Sequence, residues 1–409
     1  MLARTDREKY YYYMPKSQQH TLNLCLVGFG SVNRALIRLI AREEAWLRQE
    51  HGLEVRVSAI IARHGAWAAG GNGGGYLPPV ATLAQLADLV AAGDARLDVG
   101  SLSAAAAALQ IDATRVTATT APPTAAAVAM ISKALATAPA AETAAPPMIA
   151  CLAEAVDVDY AAGEPATSYL RAALSVGAHA VSANKGPVVH ARASLLALAA
   201  ERGRRYLHES AVMDGVPIFS TWAGGFRPGG ARLLRIRGAL NSTTSVVLSG
   251  MEGGQTLAAA LRVAQDAGIA EADPEGDLSG MDAAVKVVAL VNSLELGGGG
   301  APLALSDVAV EGIHGVTIER IAAAKAAGRT LRLVGGAEVR EGGGVAAYVR
   351  PEELAPGDPL HGLAGADAAL TFYTDRLAPV TITQKGSVVE DTAFGLFADM
   401  IRACRPDPV

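Results

Sequence analysis

The chain has 409 residues, of which 51% are hydrophobic and 18% charged, and its formal net charge is -5 at pH 7. That length exceeds a single small core and predicts two or three packed units. The acidic balance leaves no basic footprint for nucleic acid or an anionic membrane surface, so small molecules are the expected partners.

Residues 1–20 carry charge and a tyrosine run but no apolar segment of the kind that opens a secretory signal. No later stretch is an uninterrupted apolar span of about 20 residues. No membrane contact is therefore expected, and the cytoplasm is the expected location. Cys25, Cys151 and Cys404 lie far apart in apolar contexts, without metal-ligand spacing. They read as buried, reduced thiols.

In chain order, "LNLCLVGFGSVNRALIRLIAREEAWLRQEHG" predicts a buried strand from Leu22 to Val27, a glycine turn and a helix ending near Gly52. "EVRVSAIIA" follows as a second strand, so the opening is a βαβ unit and the expected fold is α/β with a parallel sheet. From about Trp67 to Pro147 the pattern weakens into glycine-rich and Ala/Thr/Pro-rich low complexity. That segment reads as a peripheral insert with short helices, decoration rather than a site. Alternation resumes with the strand "MIACLAEAV", the helix "GEPATSYLRAALSVG", the strand "AHAVSAN", the helix "HARASLLALAAERG" and the strand "RRYLHESAV". A second unit is expected from Tyr206, and the end of the chain reads as two strands, a turn at Gly386 and a closing helix.

"GFGSVN" sets Gly28 and Gly30 between a strand and a helix, where glycines let the backbone approach a pyrophosphate at the helix N-terminus. Asn33 occupies the place of the fingerprint's third glycine. The turn Gly28, Phe29, Gly30, Ser31 and Val32 is the expected nucleotide contact. The second strand ends in "IIARHG" without the acid that takes the ribose hydroxyls in NAD sites. Ala62 leaves room for a 2′-phosphate and Arg63 offers it charge-assisted hydrogen bonds, which favours NADP while leaving NAD open. A solvated loop arginine is the other reading of Arg63.

Glu271, Asp273, Glu275, Asp277 and Asp282 crowd into "AEADPEGDLSGMDAAVKVVAL", in a chain otherwise sparing with charge. Asp282 and Lys286, four apart on a helix, share one face. The apolar residues around Lys286 require its ammonium to be paired or poised for chemistry. Upstream, the loop marked by Pro274 and Gly276 can fold Glu271 and Asp277 back toward that helix, whereas Glu275 reads as solvated. "HAVSANKGPVV" places Lys185 just beyond a parallel strand, where ligands of open α/β sheets bind; alone, the placement fits a surface lysine equally well.

Together these segments resemble the homoserine dehydrogenase family from Leu22 to about Ala403, apart from the insert at 67–147. The likeness is carried by "GFGSVN", by "GEPA" with "SANKGP", by "ESAVMDGVPIFS", and by "RGALNSTTSVVLSGM" leading to "AQDAGIAEADPEGDLSGMDAAVK". The resemblance implies a Rossmann-type nucleotide-binding domain over 21–205, completed by a C-terminal helix within 386–409, and an α+β catalytic and dimerisation domain over 206–385. Residues 1–20 are an N-terminal extension. It further implies NAD(P)-linked interconversion of aspartate 4-semialdehyde and homoserine, in which Lys286, with Asp282, and Lys185 act at the reacting oxygen. Glu271, Asp277 and Thr243 would line the amino acid pocket. Lys185 and Gly386 join Gly28, Phe29, Gly30, Ser31, Val32 and Arg63 at the coenzyme. "HESAVMDGVP" is similar to the family's monovalent-cation loop, which points to sodium at Glu209, Val212, Asp214 and Val216. A homodimer is implied as well, and a threonine-feedback domain is not expected after Val409. The chain departs from the family at Asn33, at Ser242 in place of a glycine, and in keeping only Gly386 of a richer glycine turn. These departures leave two rivals: a dehydrogenase of another amino or hydroxy acid, and a catalytically silent nucleotide-binding homologue.

Overall fold

The computed structural model describes residues 19–69, 75–93, 108–109, 116–120, 122–136, 148–299 and 301–405. The tyrosine run and most of the glycine-rich loop after Ala69 lie outside them.

Strand β1 (His20–Val27) lies at the centre of the first sheet. Its side chains alternate between two cores, with Leu22, Leu24 and Leu26 on one face and Cys25 and Val27 on the other. A strand covered on both faces is a near-continuous apolar run, and each buried leucine contributes roughly 1.5–3 kcal/mol. The remaining strands are β2 (Leu53–Ala62), β3 (Gly65–Ala69), β4 (Val116–Thr120), β5 (Met148–Glu154), β6 (His179–Ser182) and β7 (Tyr206–Leu207). The sheet order is β4-β3-β2-β1-β5-β6-β7. From β2 to β7 the strands run parallel, while β3 and β4 add an antiparallel edge.

The predicted first helix is two, α1 (Ser31–Arg42) and α2 (Glu44–His51), broken at Glu43 and stopped by Gly52 in the left-handed region. Next come α3 (Val80–Gly93), α4 (Thr124–Leu135), α5 (Ala166–Ser175), the short α6 (Lys185–His190) and α7 (Arg192–Glu201). Here the expectation of a peripheral insert fails. Leu83 and Leu86 of α3 are fully buried in the core shared with α1, and Ala127, Ile131 and Leu135 of α4 are fully buried in the opposite core. Alanine-rich sequence hides this because alanine favours helix whether or not the helix is covered. The "RRYLHESAV" strand also shortens to β7, after which the chain enters a single 3₁₀ turn at Glu209–Ala211.

The second sheet holds β8 (Leu233–Ala239), β9 (Val308–Val310), β10 (Thr330–Val339), β11 (Val345–Leu354), β12 (Ala368–Thr374) and β13 (Val380–Gln384) in the order β13-β12-β8-β10-β11-β9. It is mainly antiparallel, with β9 parallel to β11. Helices α8 (Ser242–Glu252), α9 (Leu257–Asp266), α10 (Met281–Ser293) and α11 (Ile318–Ala326) share the large core against it. The chain then returns: α12 (Val389–Cys404) buries Leu396, Phe397 and Met400 in the core of the first sheet, alongside α1.

Candidate active site

The carboxyl ends of four strands are tied into one row by main-chain hydrogen bonds. Gly28 N donates to Ile61 O at 2.7 Å, Ala155 N to Val27 O at 2.9 Å and Ala183 N to Glu154 O at 3.0 Å. The turn after β1, the loop after β5 and the turn carrying Lys185 therefore share one edge, where open α/β sheets bind ligands. Gly28 has φ +78°, and a Cβ there would lie 2.1 Å from Ala155 O. At Gly30 a Cβ would meet nothing within 4 Å, and no side chain caps α1. Open space in front of free helix N–H groups fits a pyrophosphate, so the residues present suit a dinucleotide. Phe29 is buried, Val32 half-buried and Ser31 exposed.

Asn33 is fully buried and braces this turn. Its Nδ2 donates to Val27 O at 3.0 Å, Gly28 O at 2.6 Å and Ala153 O at 3.4 Å. Arg63, exposed after β2, is ion-paired with Asp157 of the β5 loop. Gly386, with φ +60°, donates its N–H to Asp367 Oδ1 at 3.1 Å in the approach to α12.

The turn that presents Lys185 is held from below. Glu154, buried at the end of β5, accepts from Ser182 Oγ at 2.5 Å, Val156 N at 2.8 Å and Asn184 Nδ2 at 3.3 Å. Burial raises its pKa against these hydrogen bonds. Asn184 Oδ1 in turn caps α6 by accepting from Gly186 N at 2.9 Å. Gly163 of "GEPA" presses on this cap, since a Cβ there would lie 2.8 Å from the Gly186 carbonyl.

Asp282, 5% exposed in the first turn of α10, joins the two lysines. Its Oδ1 is 2.9 Å from Lys185 Nζ and its Oδ2 is 3.1 Å from Lys286 Nζ. Burial alone would raise the Asp282 pKa, but the charges of Lys185 and Lys286 and hydrogen bonds from Lys185 and Asn241 outweigh it and hold the carboxyl well below the usual range. Lys286 Nζ also donates to Leu240 O at 2.6 Å. Both lysine side chains retain 16% exposure, enough for a ligand atom to reach them.

Three side chains not singled out from sequence complete the centre. Asn241 caps α8, its Oδ1 accepting from Thr244 N at 2.8 Å, and its Nδ2 bridges Asp277 Oδ1 at 2.6 Å and Asp282 Oδ2 at 3.0 Å. Tyr160, from the β5 loop, donates to Asp282 Oδ1 at 3.4 Å, and Lys185 Nζ lies 5.9 Å from its ring centre. Burial, then the charges of Asp282 and Asp277, raise the Tyr160 phenol above its usual range, so it stays a donor. Glu154 is the third. Asparagine before "STTS" is a readable N-cap signal; Tyr160 and Glu154 carry no local one.

The other expected residues are placed unequally. Asp277 reaches the centre through Asn241. Thr243 is buried and donates to Ile269 O at 3.3 Å. Glu271 is exposed beyond the end of α9; its backbone carbonyl accepts from Gln265, and its carboxylate has no partner among the described residues. The cation loop also differs from expectation. Both oxygens of the Glu209 carboxylate are taken, by Phe219 N at 2.6 Å, Ser220 N at 3.0 Å and Arg402 at 2.8 Å. Asp214 Oδ1 accepts from Thr392 at 3.0 Å, and Val216 O accepts from Ile218 N at 2.8 Å. The Glu209 side chain thus does not fit a sodium ligand, because both of its oxygens already accept hydrogen bonds and Arg402, shared with Asp399, sits against one of them. Among the described residues no group of three or more His, Cys, Asp or Glu side chains could hold a metal ion.

The arrangement fits a class, the dehydrogenases: an edge of a parallel sheet suited to a dinucleotide lies beside two lysines paired through one aspartate. A family model, homoserine dehydrogenase, matches residues 217–401. An NAD(+)-dependent homoserine dehydrogenase from Pseudomonas canavaninivorans is 31% identical over 386 residues, which is 92% of this chain and 95% of the relative. Among solved structures, a homoserine dehydrogenase from Thiobacillus denitrificans matches with a TM-score of 0.70 at 23% identity, over 95% of this chain and 74% of that one. A hyperthermophilic archaeal homoserine dehydrogenase mutant in complex with NADPH matches with a TM-score of 0.68 at 25% identity, over 94% and 97%. The chain belongs to the homoserine dehydrogenase family and is an oxidoreductase.

Proposed function

We propose that the chain reduces L-aspartate 4-semialdehyde to L-homoserine reversibly, with NADPH as favoured reductant and NADH admitted, in threonine, methionine and isoleucine biosynthesis. One observation carries the reading: two lysines from different parts of the chain are held on opposite oxygens of one buried aspartate, beside the edge that suits a dinucleotide.

The chemistry that bound NAD(P)H supplies is a hydride for the aldehyde carbon. Lys286 delivers a proton to the oxygen that becomes the hydroxyl, and Lys185 stabilises its developing negative charge. Asp282 fixes both ammonium groups, so neither has to reorganise during the reaction. Asp277, kept in place by Asn241, receives the substrate ammonium, with Glu271 and Thr243 at the pocket's margin. Gly28 to Val32, Arg63, Lys185 and Gly386 hold the coenzyme. NADP is favoured because Arg63 stands where an NAD site has an acid; the second reading, NAD, draws support from Asp157 beside it.

The same proposal divides the chain into an extension at 1–20, a nucleotide-binding unit at 21–205 completed by 386–409, and a catalytic and dimerisation unit at 206–385. It assigns a homodimer in the cytoplasm; no helix among the described residues is long and apolar enough to cross a membrane. Any sodium at the Glu209–Val216 loop would rest on main-chain oxygens, and no step depends on it.

NADPH oxidation with aspartate 4-semialdehyde and a panel of other aldehydes, with product analysis, tests the proposal. Homoserine formed faster than any other alcohol is the expected result; turnover confined to another aldehyde, or to none, contradicts it.

A further inference from the structure

A dinucleotide on this edge sets its adenosine ribose against the residues that end the second strand. That strand ends at half-buried Ala62 and is followed by exposed Arg63 and His64, with no acid. The carboxylate found at this place comes instead from Asp157, 94 positions further along, which grips the Arg63 guanidinium. Asp157 belongs to the loop leaving β5, two residues after Ala155, whose carbonyl closes the space beside Gly28. In the sheet, β1 lies between β2 and β5. The ion pair therefore joins the two strands that flank the glycine turn, across the crevice where strand order reverses.

We propose that Asp157 is the coenzyme-discriminating residue of this chain. It supplies from the β5 loop the carboxylate that the second strand lacks, and it accepts the ribose 2′-hydroxyl of NADH. It also competes with the 2′-phosphate of NADPH for Arg63. The inference rests on the reading of this edge as an NAD(P)H site and deepens it.

The physics sets both the sign and the size. A 2′-phosphate monoester carries between one and two negative charges near neutral pH, so an unpaired Arg63 would favour NADPH strongly. With Asp157 in place the phosphate must take the guanidinium from a carboxylate and sit near that carboxylate's charge. The side chains of Arg63 and Asp157 are 70% and 80% exposed, so water and salt screen the pair and it opens readily. Discrimination is therefore graded: both coenzymes bind, and Asp157 sets their ratio.

Nicotinamide fluorescence titrations of NADH and NADPH against the full chain measure that ratio without turnover. Asp157→Ala should tighten NADPH roughly three- to tenfold and weaken NADH, while Asp157→Glu, which keeps the carboxylate, should stay near the parent ratio. Arg63→Ala should shift the ratio toward NADH. If Asp157→Ala changes both affinities by the same factor, or neither, the discriminating role is wrong although the site still binds coenzyme. If the parent chain binds neither, the coenzyme reading itself fails, and the role of Asp157 with it.

Discussion

Asn33 stands where a dinucleotide turn usually carries its third glycine, and it does the opposite of loosening the motif. Its carboxamide draws together the ends of β1 and β5 and the carbonyl of Gly28 from a fully buried position. Asn33→Gly would restore the sequence fingerprint yet remove these hydrogen bonds and add backbone freedom within α1. We expect a loss of about 1–3 kcal/mol in denaturant unfolding together with weaker coenzyme binding. Stability equal to or above the parent's would contradict this account. The same position shows where sequence reasoning stops. Lys286 and Asp282 are legible because their partnership is local, one helical turn apart, and Lys185 because strand-to-helix transitions place it at the sheet edge. Tyr160 meets Asp282 across 122 positions and Asn241 meets it across 41, and no local pattern encodes such meetings.

At the scale of elements, the turn after β7 and the closing helix α12 form one unit. Arg402 of α12 reaches Glu209, and Glu209 N donates to Asp399 Oδ2 at 2.7 Å. His208, packed edge-on against Phe219, is buried beside them. Burial first, then the Arg192 and Arg402 charges, push its pKa from 6.5 to about 3. The fold thus binds neutral imidazole, whereas the unfolded chain takes up a proton near 6.5. The stabilisation is complete above that pH and is lost as pH falls from 6.5 toward 3, on the order of 3 kcal/mol by pH 4. Asp399 works in the other direction. Burial lifts its carboxyl to about 6 against the pull of Arg402, so its contribution is full below 3.8 and is lost as pH rises through 6. Comparing His208→Gln with the parent cancels the Asp399 contribution. Thermal melts should show the variant's deficit shrinking or reversing between pH 7 and 4, and parallel curves would disprove the assignment. All three cysteines are free, but only Cys25 and Cys151 are buried as expected, Cys404 being half-buried; burial pushes the Cys25 and Cys404 thiols to about 12.

Across the whole molecule, the chain leaves the first sheet after β7, builds the second sheet, and returns through α12 to the core it began. Lys286 thus comes from the helices over the second sheet while Lys185 comes from the edge of the first. The parallel centre, the change to longer strands in the second unit and the closing helix are readable from apolar periodicity and glycine placement, whereas the return of that helix to the first sheet is implied only by the family resemblance. The covered helices α3 and α4 and the antiparallel edge of β3 and β4 are not, because an alanine-rich stretch has nearly the same pattern on a surface as in a core. This architecture separates Lys286 from the dinucleotide edge, to which Lys185 belongs. Binding should survive changes that abolish chemistry. The measurement that tests this most directly pairs NADPH binding with the rate of aspartate 4-semialdehyde reduction in Lys286→Ala. We predict coenzyme binding within about twofold of the parent and a rate lower by roughly 10²–10⁴. A variant that retains most of the parent's rate, or that loses NADPH binding along with it, would contradict the assignment of Lys286 to the reacting oxygen.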